Sequence, residues 1–204
     1  MPKTYFITGI GTDVGKTIAS AIVVEALNAD YYKPIQAGDL DFGDKDHVAS
    51  LLSNDKSKIF DNQFKLTQPM SPHAAARIDG IEILAKEVKR PGTENVLVVE
   101  GAGGLLVPIN DNETIADLIQ KEDEVILVSR NYLGSINHSL LSIEYLKNQG
   151  LSICGIIFNG EANEESERII LRKAVCPCIG RIDIEDEINK KVVSEYAELF
   201  KVKL

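Results

Sequence analysis

A glycine-rich stretch near the N-terminus constrains the fold of this chain more than any other feature. It reads Gly-Ile-Gly-Thr-Asp-Val-Gly-Lys-Thr, from Gly9 to Thr17. An apolar, β-prone run at 5–8 precedes it, and residues 18–24 follow with the apolar spacing of a helix. In this context, glycines let successive backbone N–H groups converge on a phosphate beside the positive end of the helix. The sequence therefore predicts a phosphate-binding loop, with Lys16 reaching the β- and γ-phosphates and Thr17 holding Mg²⁺.

The loop departs from the usual phosphate-loop spacing in one respect. The usual pattern has four residues between its first glycine and the Gly-Lys pair, and Ile10 stands where that glycine is expected. Gly9 lies one position further out, so the loop is one residue longer. The alternative interpretation is an ordinary glycine-rich turn with a solvated lysine.

Composition limits the classes of protein that the chain can represent. With 204 residues, 44% hydrophobic and 26% charged, we expect one domain over residues 1–204 with a substantial core. The net charge of −9 argues against non-specific binding to nucleic acid or anionic membranes, but not against a nucleotide held by local groups. We see no membrane-spanning run and no secretory signal. The three cysteines (Cys154, Cys176 and Cys178) form no disulfide or zinc framework, so we expect a cytoplasmic protein.

Strand-like and helix-like patterns alternate along the rest of the chain. Besides 5–8, the expected strands are 29–35, 95–99, 125–128, 153–158 and 179–182. The expected helices are 47–52, one beginning after Ser71, 81–89, 115–121, 134–149, 163–173 and 185–200, with an acidic loop at 40–46 and no assignment for 55–69. This alternation predicts a single-domain α/β fold of the P-loop NTPase-like type, with three α/β/α layers and a mostly parallel sheet.

Four polar side chains are expected at the carboxyl ends of strands, where parallel α/β sheets gather their ligands. They are Lys16, Lys33, Glu100 and Asn159. Lys33 could neutralise a transferring phosphoryl group or an anionic substrate, and Glu100 could supply a second Mg²⁺ contact beside Thr17. The alternatives are a surface lysine and a solvated strand-end acid. Asn159 could contact a base edge or start an Asx turn.

The acidic loop and the glycines after Glu100 leave several possibilities open. One of the loop acids could supply a further metal oxygen, but their spacing does not choose among Asp39, Asp41, Asp44 and Asp46. The glycines at 101, 103 and 104 could let the backbone approach a ligand closely, or they could simply form a turn.

Five segments, in this order along the chain, carry a family resemblance. They are 9–17, 33–38 (Lys-Pro-Ile-Gln-Ala-Gly), 71–73 (Ser-Pro-His), 99–104 (Val-Glu-Gly-Ala-Gly-Gly) and 133–138 (Leu-Gly-Ser-Ile-Asn-His). Together they resemble dethiobiotin synthetase, an ATP-dependent enzyme of biotin synthesis that shares the one-residue-longer loop. The resemblance extends to about residue 159 and thins beyond it.

The resemblance implies a homodimer that converts 7,8-diaminopelargonic acid, CO₂ and Mg-ATP into dethiobiotin, ADP and phosphate. In that reaction an amine of the substrate first adds CO₂ to become a carbamate. The carbamate oxygen attacks the γ-phosphate to give a carbamic–phosphoric anhydride. The second amine then closes the cyclic urea and expels phosphate.

The resemblance also implies a role for individual residues. Nucleotide contacts would come from Thr12, Asp13, Val14, Gly15, Lys16, Thr17, Glu100, Gly101, Gly103 and Asn159, with Asn159 contacting adenine. The Mg²⁺ ligands would be Thr17, Asp46 and Glu100. Lys16 and Lys33 would be the catalytic lysines that contact carbamate and phosphates. Substrate contacts would come from Lys33, Ala37 and Ser71, together with Leu133, Gly134 and Asn137 of the partner subunit, which would reach the substrate carboxylate.

The chain departs from the family pattern in three places. Ala37 stands where the family usually has a hydroxyl residue, which removes a hydroxyl from the substrate site. A tyrosine sometimes found in the helix after Asn159 is replaced by the apolar residues at 169–171. The last strand ends in Arg-Ile-Asp at 181–183 rather than in a proline-containing turn.

Two other functions remain as alternatives. The first is another ATP-dependent ligase or amidotransferase synthetase of the same phosphate-loop superfamily, acting on a different amine or carboxylate. The second is a ParA-like ATPase switch that binds partner proteins or DNA. Such switches usually carry a second lysine early in the loop, where this chain has Ile10 and Gly11.

Overall fold

A six-stranded parallel sheet forms the centre of the computed structural model, which describes residues 2–204. The strands are β1 (Thr4–Gly9), β2 (Asp30–Tyr32), β3 (Ile35–Ala37), β4 (Phe64–Leu66), β5 (Leu97–Gly104), β6 (Glu124–Arg130), β7 (Ser152–Asn159) and β8 (Cys178–Ile182). The central sheet has the order β2-β5-β1-β6-β7-β8, and each neighbouring pair is parallel. Strands β3 and β4 form a separate parallel pair.

Within residues 2–204, six α-helices connect and cover these strands. They are α1 (Lys16–Leu27), α2 (Asp44–Leu51), α3 (Pro72–Asp79), α4 (Ser135–Asn148), α5 (Glu164–Ala174) and α6 (Lys190–Lys201). The parallel sheet and the alternation of strands with helices confirm the predicted α/β class. In the part of the chain from residue 2 onward, no helix is both long and apolar enough to cross a membrane.

The alternation of side chains along β1 shows that both faces of the sheet are buried. Tyr5 and Ile7 pack with residues of α1 and α6 on one face. Phe6 points to the other face, where it packs with Val99 of β5 and with alanines of α3. A strand that is buried on both faces has apolar residues at consecutive positions. This explains why apolar and polar residues do not alternate at 5–7 and 96–99.

The expected strand at 29–35 is wrong, because Pro34 divides it into β2 and β3, which belong to different sheets. Proline has no N–H to donate to a ladder. Its carbonyl instead accepts hydrogen bonds from the N–H groups of Gln63 and Phe64 at 3.0 and 2.9 Å. The interruption leaves Lys33 between the two strands, so its side chain is held at the sheet edge.

Two expected helices, at 81–89 and 115–121, are also wrong, because each contains only a short 3₁₀ turn. The turns are Ala85–Glu87 and Ile115–Leu118. In the first segment Ile83 is fully buried while Ile81 is exposed, so the segment has no continuous apolar face to bury. In the second, the carboxylate of Asp123 accepts the N–H of Gln120 at 2.9 Å and turns the chain away from a helical path.

Other observed boundaries differ from the predicted ones by a few residues. The helix expected at 47–52 begins earlier, at Asp44, so the second half of the supposed acidic loop is helical. The terminal helix expected from 185 begins only at Lys190, where the side chain of Asn189 caps it. The unassigned segment 55–69 contains β4. Strand β5 continues to Gly104, so Glu100 lies inside a strand rather than at its end.

Candidate active site

A cavity of about 710 Å³ opens at the carboxyl edge of the sheet, next to the glycine-rich loop. Lys16, Lys33, Glu100 and Asn159 all line it, as the position of their strands predicts. Its remaining lining residues are Thr12, Asp13, Gly15, Thr17, Ile18, Gln36, Ala37, Asp39, Asp44, Pro69, Met70, Ser71, Pro72, Ala102, Gly103 and Val107.

The glycine-rich loop makes a tight arch that explains the displaced first glycine. A Cβ atom on Gly9 would lie 2.6 Å from Val14 Cγ2 and 3.0 Å from Gly11 O, so only glycine fits there. Gly15, with φ of 93°, leads directly into α1. Asp13 adopts φ of 55°, a left-handed conformation that non-glycine residues occupy at some energetic cost. The longer loop therefore has a defined backbone conformation that requires glycine at position 9.

Lys16 is the first residue of α1, and its ammonium group turns back over the loop. It donates a hydrogen bond to the carbonyl of Gly11 at 2.9 Å. Burial lowers the pKa of Lys16, and the nearby charge of Glu100 offsets part of that effect. The ammonium thus lies inside the arch, where it can reach the phosphates of a bound nucleotide.

A second cationic group, Lys33, lies across the cavity between two carboxylates. Its Nζ donates to Glu100 Oε1 at 3.1 Å and pairs with Asp44 Oδ2. The hydroxyl of Thr17 joins the same group, at 2.6 Å from Asp44 Oδ1 and 3.2 Å from Glu100 Oε1. Three oxygen-bearing side chains and one lysine therefore share a single polar cluster, which we call the Lys33 cluster.

The pKa shifts in the Lys33 cluster follow from its charges. Burial alone would lower the pKa of Lys33, but Glu100 and Asp44 outweigh it and raise that pKa. Burial alone would raise the pKa of Asp44, but the adjacent Lys33 outweighs it and lowers that pKa. Lys33 and Asp44 therefore each favour the charged form of the other.

The geometry selects Asp44, rather than the expected Asp46, as the acid beside Thr17 and Glu100. The carboxylate of Asp46 accepts the N–H of Gly43 at 3.0 Å and lies 3.1 Å from Lys45 Nζ, outside the cavity lining. The reason is the start of α2, since Asp46 is the third residue of the helix and its carboxylate turns back to the backbone N–H of Gly43, which precedes the helix. Asp44 begins the helix and faces the cavity.

Asn159 ends β7 and is tied to the glycine-rich loop. Its Nδ2 donates to the carbonyl of Val14 at 3.0 Å. The amide group lies so close over Gly15 that a Cβ there would be 2.3 Å from Nδ2. Asn159 thus supports the loop as well as lining the cavity.

Two of the expected nucleotide contacts do not face the cavity. The side chain of Val14 is buried in the core, and its carbonyl accepts the Asn159 hydrogen bond. A Cβ on Gly101 would meet Ile115 and Phe6, on the opposite side of β5, so this glycine serves packing. Gly103 does line the cavity, beside the hydroxyl of Thr12.

The expected substrate residues fall into two groups. Ala37 and Ser71 line the cavity together with Lys33. Leu133, Gly134 and Asn137 are absent from that lining, and the side chain of Leu133 is fully exposed where α4 begins. Within one subunit, therefore, this second group does not reach the cavity that holds the lysines.

Sequence reasoning did not single out three residues that shape the site. Asp44 was one of four possible acids, and only the phase of α2 distinguishes it. Gln36 accepts the N–H of Asp44 at 3.4 Å and donates to the carbonyl of Gly38 at 3.1 Å, which supports the start of α2. The hydroxyl of Tyr31 donates to Glu100 Oε2 at 2.9 Å. The alternation of side chains along β2 could have placed Tyr31 on the face of the sheet that carries Lys33. It could not have identified Glu100 as the hydrogen-bond partner of Tyr31.

The fold and the glycine-rich loop define the chain as a P-loop nucleotide-binding protein of the α/β class. A family model described as an AAA domain matches residues 3–192. The ATP-dependent dethiobiotin synthetase BioD of Christiangramia forsetii is 59% identical over 204 residues, covering 100% of this chain and 99% of the relative. The BioD of Cytophaga hutchinsonii is 50% identical, covering 96% of this chain and 95% of the relative. The chain therefore belongs to the ATP-dependent dethiobiotin synthetase family, which confirms the resemblance.

Two solved structures with a similar fold carry names from other functional groups. The septum site-determining protein MinD of Pyrococcus horikoshii, complexed with Mg-ADP, superposes with a TM-score of 0.58 at 14% identity, covering 100% of this chain and 94% of that one. A ParA family ATPase of Chlorobium tepidum gives 0.53 at 12% identity, covering 97% and 98%. At such identities the likeness shows the fold alone, so it lends no support to the ParA-like alternative.

Proposed function

We propose that this protein synthesises dethiobiotin from 7,8-diaminopelargonic acid, CO₂ and ATP, with release of ADP and phosphate. The observation that carries the proposal is the position of Lys33 opposite the glycine-rich loop, in one cavity with Lys16. A phosphoryl transfer to a carbamate brings two anions together, and two ammonium groups flanking the transfer path reduce their repulsion.

The two lysines have separate tasks in this scheme. Lys16, inside the loop arch, exchanges its hydrogen bond to Gly11 O for the β- and γ-phosphates. Lys33 lines the same cavity as Ala37 and Ser71, so we assign it to the carbamate oxygen, which it would orient toward the γ-phosphate. Holding both anions in line removes much of the entropic cost of the reaction, and the loop N–H groups stabilise the charge that develops.

The Lys33 cluster has a donor set that suits Mg²⁺. A hydroxyl and two carboxylates are hard oxygen ligands, and Mg²⁺ in nucleotide sites takes one or two carboxylates together with phosphate oxygens. We assign this role to Thr17, Asp44 and Glu100, with Asp44 replacing the expected Asp46. When bound, Mg²⁺ supplies charge neutralisation on the phosphates. Lys33, which pairs with both of these carboxylates, would contact the carbamate.

Asn159 suits the base end of the nucleotide. Because its Nδ2 donates to Val14 O, its Oδ1 is the atom available to accept a hydrogen bond from the amino group of adenine. Thr12, Asp13, Gly15 and Gly103 surround the phosphate path between this end and the lysines.

We further propose that the active assembly is a homodimer in the cytoplasm. Leu133 is fully exposed, and Tyr132, just before α4, and Ile136 and Leu141, within α4, are also exposed large apolar side chains. A second copy would cover this patch and bring Leu133, Gly134 and Asn137 of the partner subunit to the substrate carboxylate. The three free cysteines agree with a reducing compartment. Light scattering of wild type and of Leu133→Asp tests the dimer, since the variant should become monomeric and a dimeric variant would contradict this interface.

The reaction is tested by measuring ADP release with 7,8-diaminopelargonic acid and bicarbonate, each omitted in turn. We expect turnover only when both are present. Turnover that requires the diamine but not bicarbonate would favour another ligase chemistry, and turnover that requires neither would favour an ATPase switch.

A further inference from the structure

Two consecutive tyrosines in β2 send their hydroxyl groups to opposite faces of the central sheet. Tyr31 packs into the core beneath α1, together with Val98 of β5. Tyr32 packs on the other face, and its hydroxyl lies 3.4 Å from Gln63 Oε1. Side chains alternate along a strand, so only Tyr31 can reach the face that carries the Lys33 cluster.

The register of β2 on β5 brings the Tyr31 phenol to Glu100. Tyr31 pairs with Val98, and Glu100 lies two residues further along β5 on the same face. The Tyr31 hydroxyl donates to Glu100 Oε2 at 2.9 Å, and both side chains are fully buried. A phenol is protonated at neutral pH, so the Tyr31 hydroxyl is the hydrogen-bond donor of this pair and the carboxylate of Glu100 is the acceptor.

This hydrogen bond divides the two oxygens of Glu100 between different tasks. Oε2 is held by the Tyr31 phenol, which leaves Oε1 directed at Thr17 and Lys33. A carboxylate without the phenol could rotate about its last torsion angle, since that torsion is broad in glutamate. The phenol thus fixes which oxygen faces the nucleotide.

The backbone of Tyr31 is itself anchored on both sides. One side pairs with β5, as described above. On the other side, the Tyr31 N–H donates to Lys58 O at 2.9 Å and the Tyr31 carbonyl accepts from Phe60 N at 2.9 Å. A buried side chain on a doubly paired backbone has little freedom, which suits a group that must hold another in place.

We propose that Tyr31 is a positioning residue for the ATP-dependent reaction, which acts by orienting Glu100 toward the Mg²⁺–phosphate end of the cavity. The proposal rests on the proposed function, because it assigns Glu100 to the metal. Tyr31 does not line the cavity, so it acts through Glu100, which does.

Tyr31→Phe tests this role, with Tyr32→Phe as the matched control on the opposite face of the same strand. Tyr31→Phe should raise the Mg²⁺ concentration for half-maximal ATP binding about tenfold, equivalent to about 1.4 kcal/mol. The KM for the diamine should stay within about twofold, because the phenol acts at the nucleotide end. Tyr32→Phe should leave the Mg²⁺ dependence unchanged. Equal Mg²⁺ dependence in the two variants, or a Tyr31→Phe protein that cannot be purified folded, would overturn the proposal.

A double-mutant cycle separates orientation of Glu100 from general packing. In a Glu100→Gln background, Tyr31→Phe should have no further effect on the Mg²⁺ dependence of ATP binding. Additive effects would contradict the proposal. Because ATP binding is read without the diamine, a failure here is distinguishable from a failure of the proposed reaction, which the omission assay tests separately.

Discussion

Two buried ion clusters lie toward opposite ends of the central sheet, and they differ in how their charges are satisfied. At the carboxyl edge, Lys33 is shared by Asp44 and Glu100 beside an open cavity. At the other edge, Arg90 Nη2 donates to Asp123 Oδ2 and to the carbonyl of Leu118, both at 2.8 Å. In the first cluster two carboxylates share one lysine, whereas in the second cluster one carboxylate pairs with one arginine.

The surroundings of the second cluster enclose it, and among the described residues Arg90 Nη1 is buried without a hydrogen-bond partner. The guanidinium of Arg90 lies over the ring of Phe6, with Cζ 5.4 Å from the ring centroid. Asp123 also accepts the N–H of Gln120 at 2.9 Å. Burial raises the pKa of Asp123, and Arg90 offsets this only in part. In the Lys33 cluster, by contrast, the lysine lowers the pKa of Asp44.

The difference indicates what each cluster is for. A closed pair holds segments of the chain together, so variants in it should lower the free energy of unfolding. A cluster with two carboxylates and one ammonium group beside a cavity can exchange its lysine for another cation, so variants in it should alter ligand binding and turnover. Variants in the two clusters should therefore affect different measurements.

The largest effect is expected at the phosphate end of the cavity. Lys16→Ala should reduce ATP turnover by about 10³-fold or more, because it removes the ammonium from the phosphates. Stability should change little, since Lys16 donates only to a loop carbonyl. Steady-state ADP release and thermal unfolding check both statements, with Lys45→Ala as a lysine control outside the cavity. Normal turnover in Lys16→Ala would refute the site assignment.

The closed pair should give the opposite result. Asp123→Asn should lower the free energy of unfolding by about 3 kcal/mol, because Arg90, whose side chain is only 15% exposed, loses its counter-charge. Turnover per folded molecule should remain within about twofold. Denaturant unfolding measures the first quantity, with Asp111→Asn as the control in an exposed pair with Arg77, where the effect should be under about 1 kcal/mol. A stable but inactive Asp123→Asn protein would contradict the claim that this pair contributes to stability and not to turnover.

A smaller effect separates the two acids of α2. Asp44→Asn should raise the Mg²⁺ concentration for half-maximal turnover about tenfold, as expected for loss of one oxygen ligand or its neighbour. Asp46→Asn should leave that concentration within about twofold, since Asp46 caps the helix instead. Mg²⁺ titrations of both variants decide the point. The reverse order would restore Asp46 as the ligand.

The smallest expected effect concerns the diamine end. Ala37→Thr adds a hydroxyl to the cavity lining, and one new hydrogen bond of about 1 kcal/mol should tighten diamine binding about fivefold. Ala37→Val adds similar bulk without the hydroxyl and is the control. If calorimetry finds the same diamine affinity in both variants, the missing hydroxyl is irrelevant in this chain.

The parts of this account that the sequence predicts are local in the chain. The loop from Gly9 to Thr17, the parallel α/β fold and the convergence of Lys16, Lys33 and Glu100 all follow from short motifs placed on strands. A phosphate loop carries its own geometry, so its function can be inferred before the rest of the fold is known.

The parts that the sequence does not predict depend on helix phase or on pairing between distant segments. Asp44 and Asp46 are two residues apart, and only the capping of α2 at Gly43 turns one inward and the other away. The contact between Tyr31 and Glu100 needs the register of β2 on β5. The 81–89 segment has helix-forming residues, but with Ile83 buried and Ile81 exposed it lacks an apolar face.

The central claim is that one cavity joins ATP cleavage to closure of a ring that contains the CO₂ carbon. The most direct test supplies ¹³C-bicarbonate with 7,8-diaminopelargonic acid and Mg-ATP, and measures ADP and the product by mass spectrometry. We predict one molecule of singly labelled dethiobiotin for each ADP released. ADP released without ¹³C in a cyclic urea product would contradict the account.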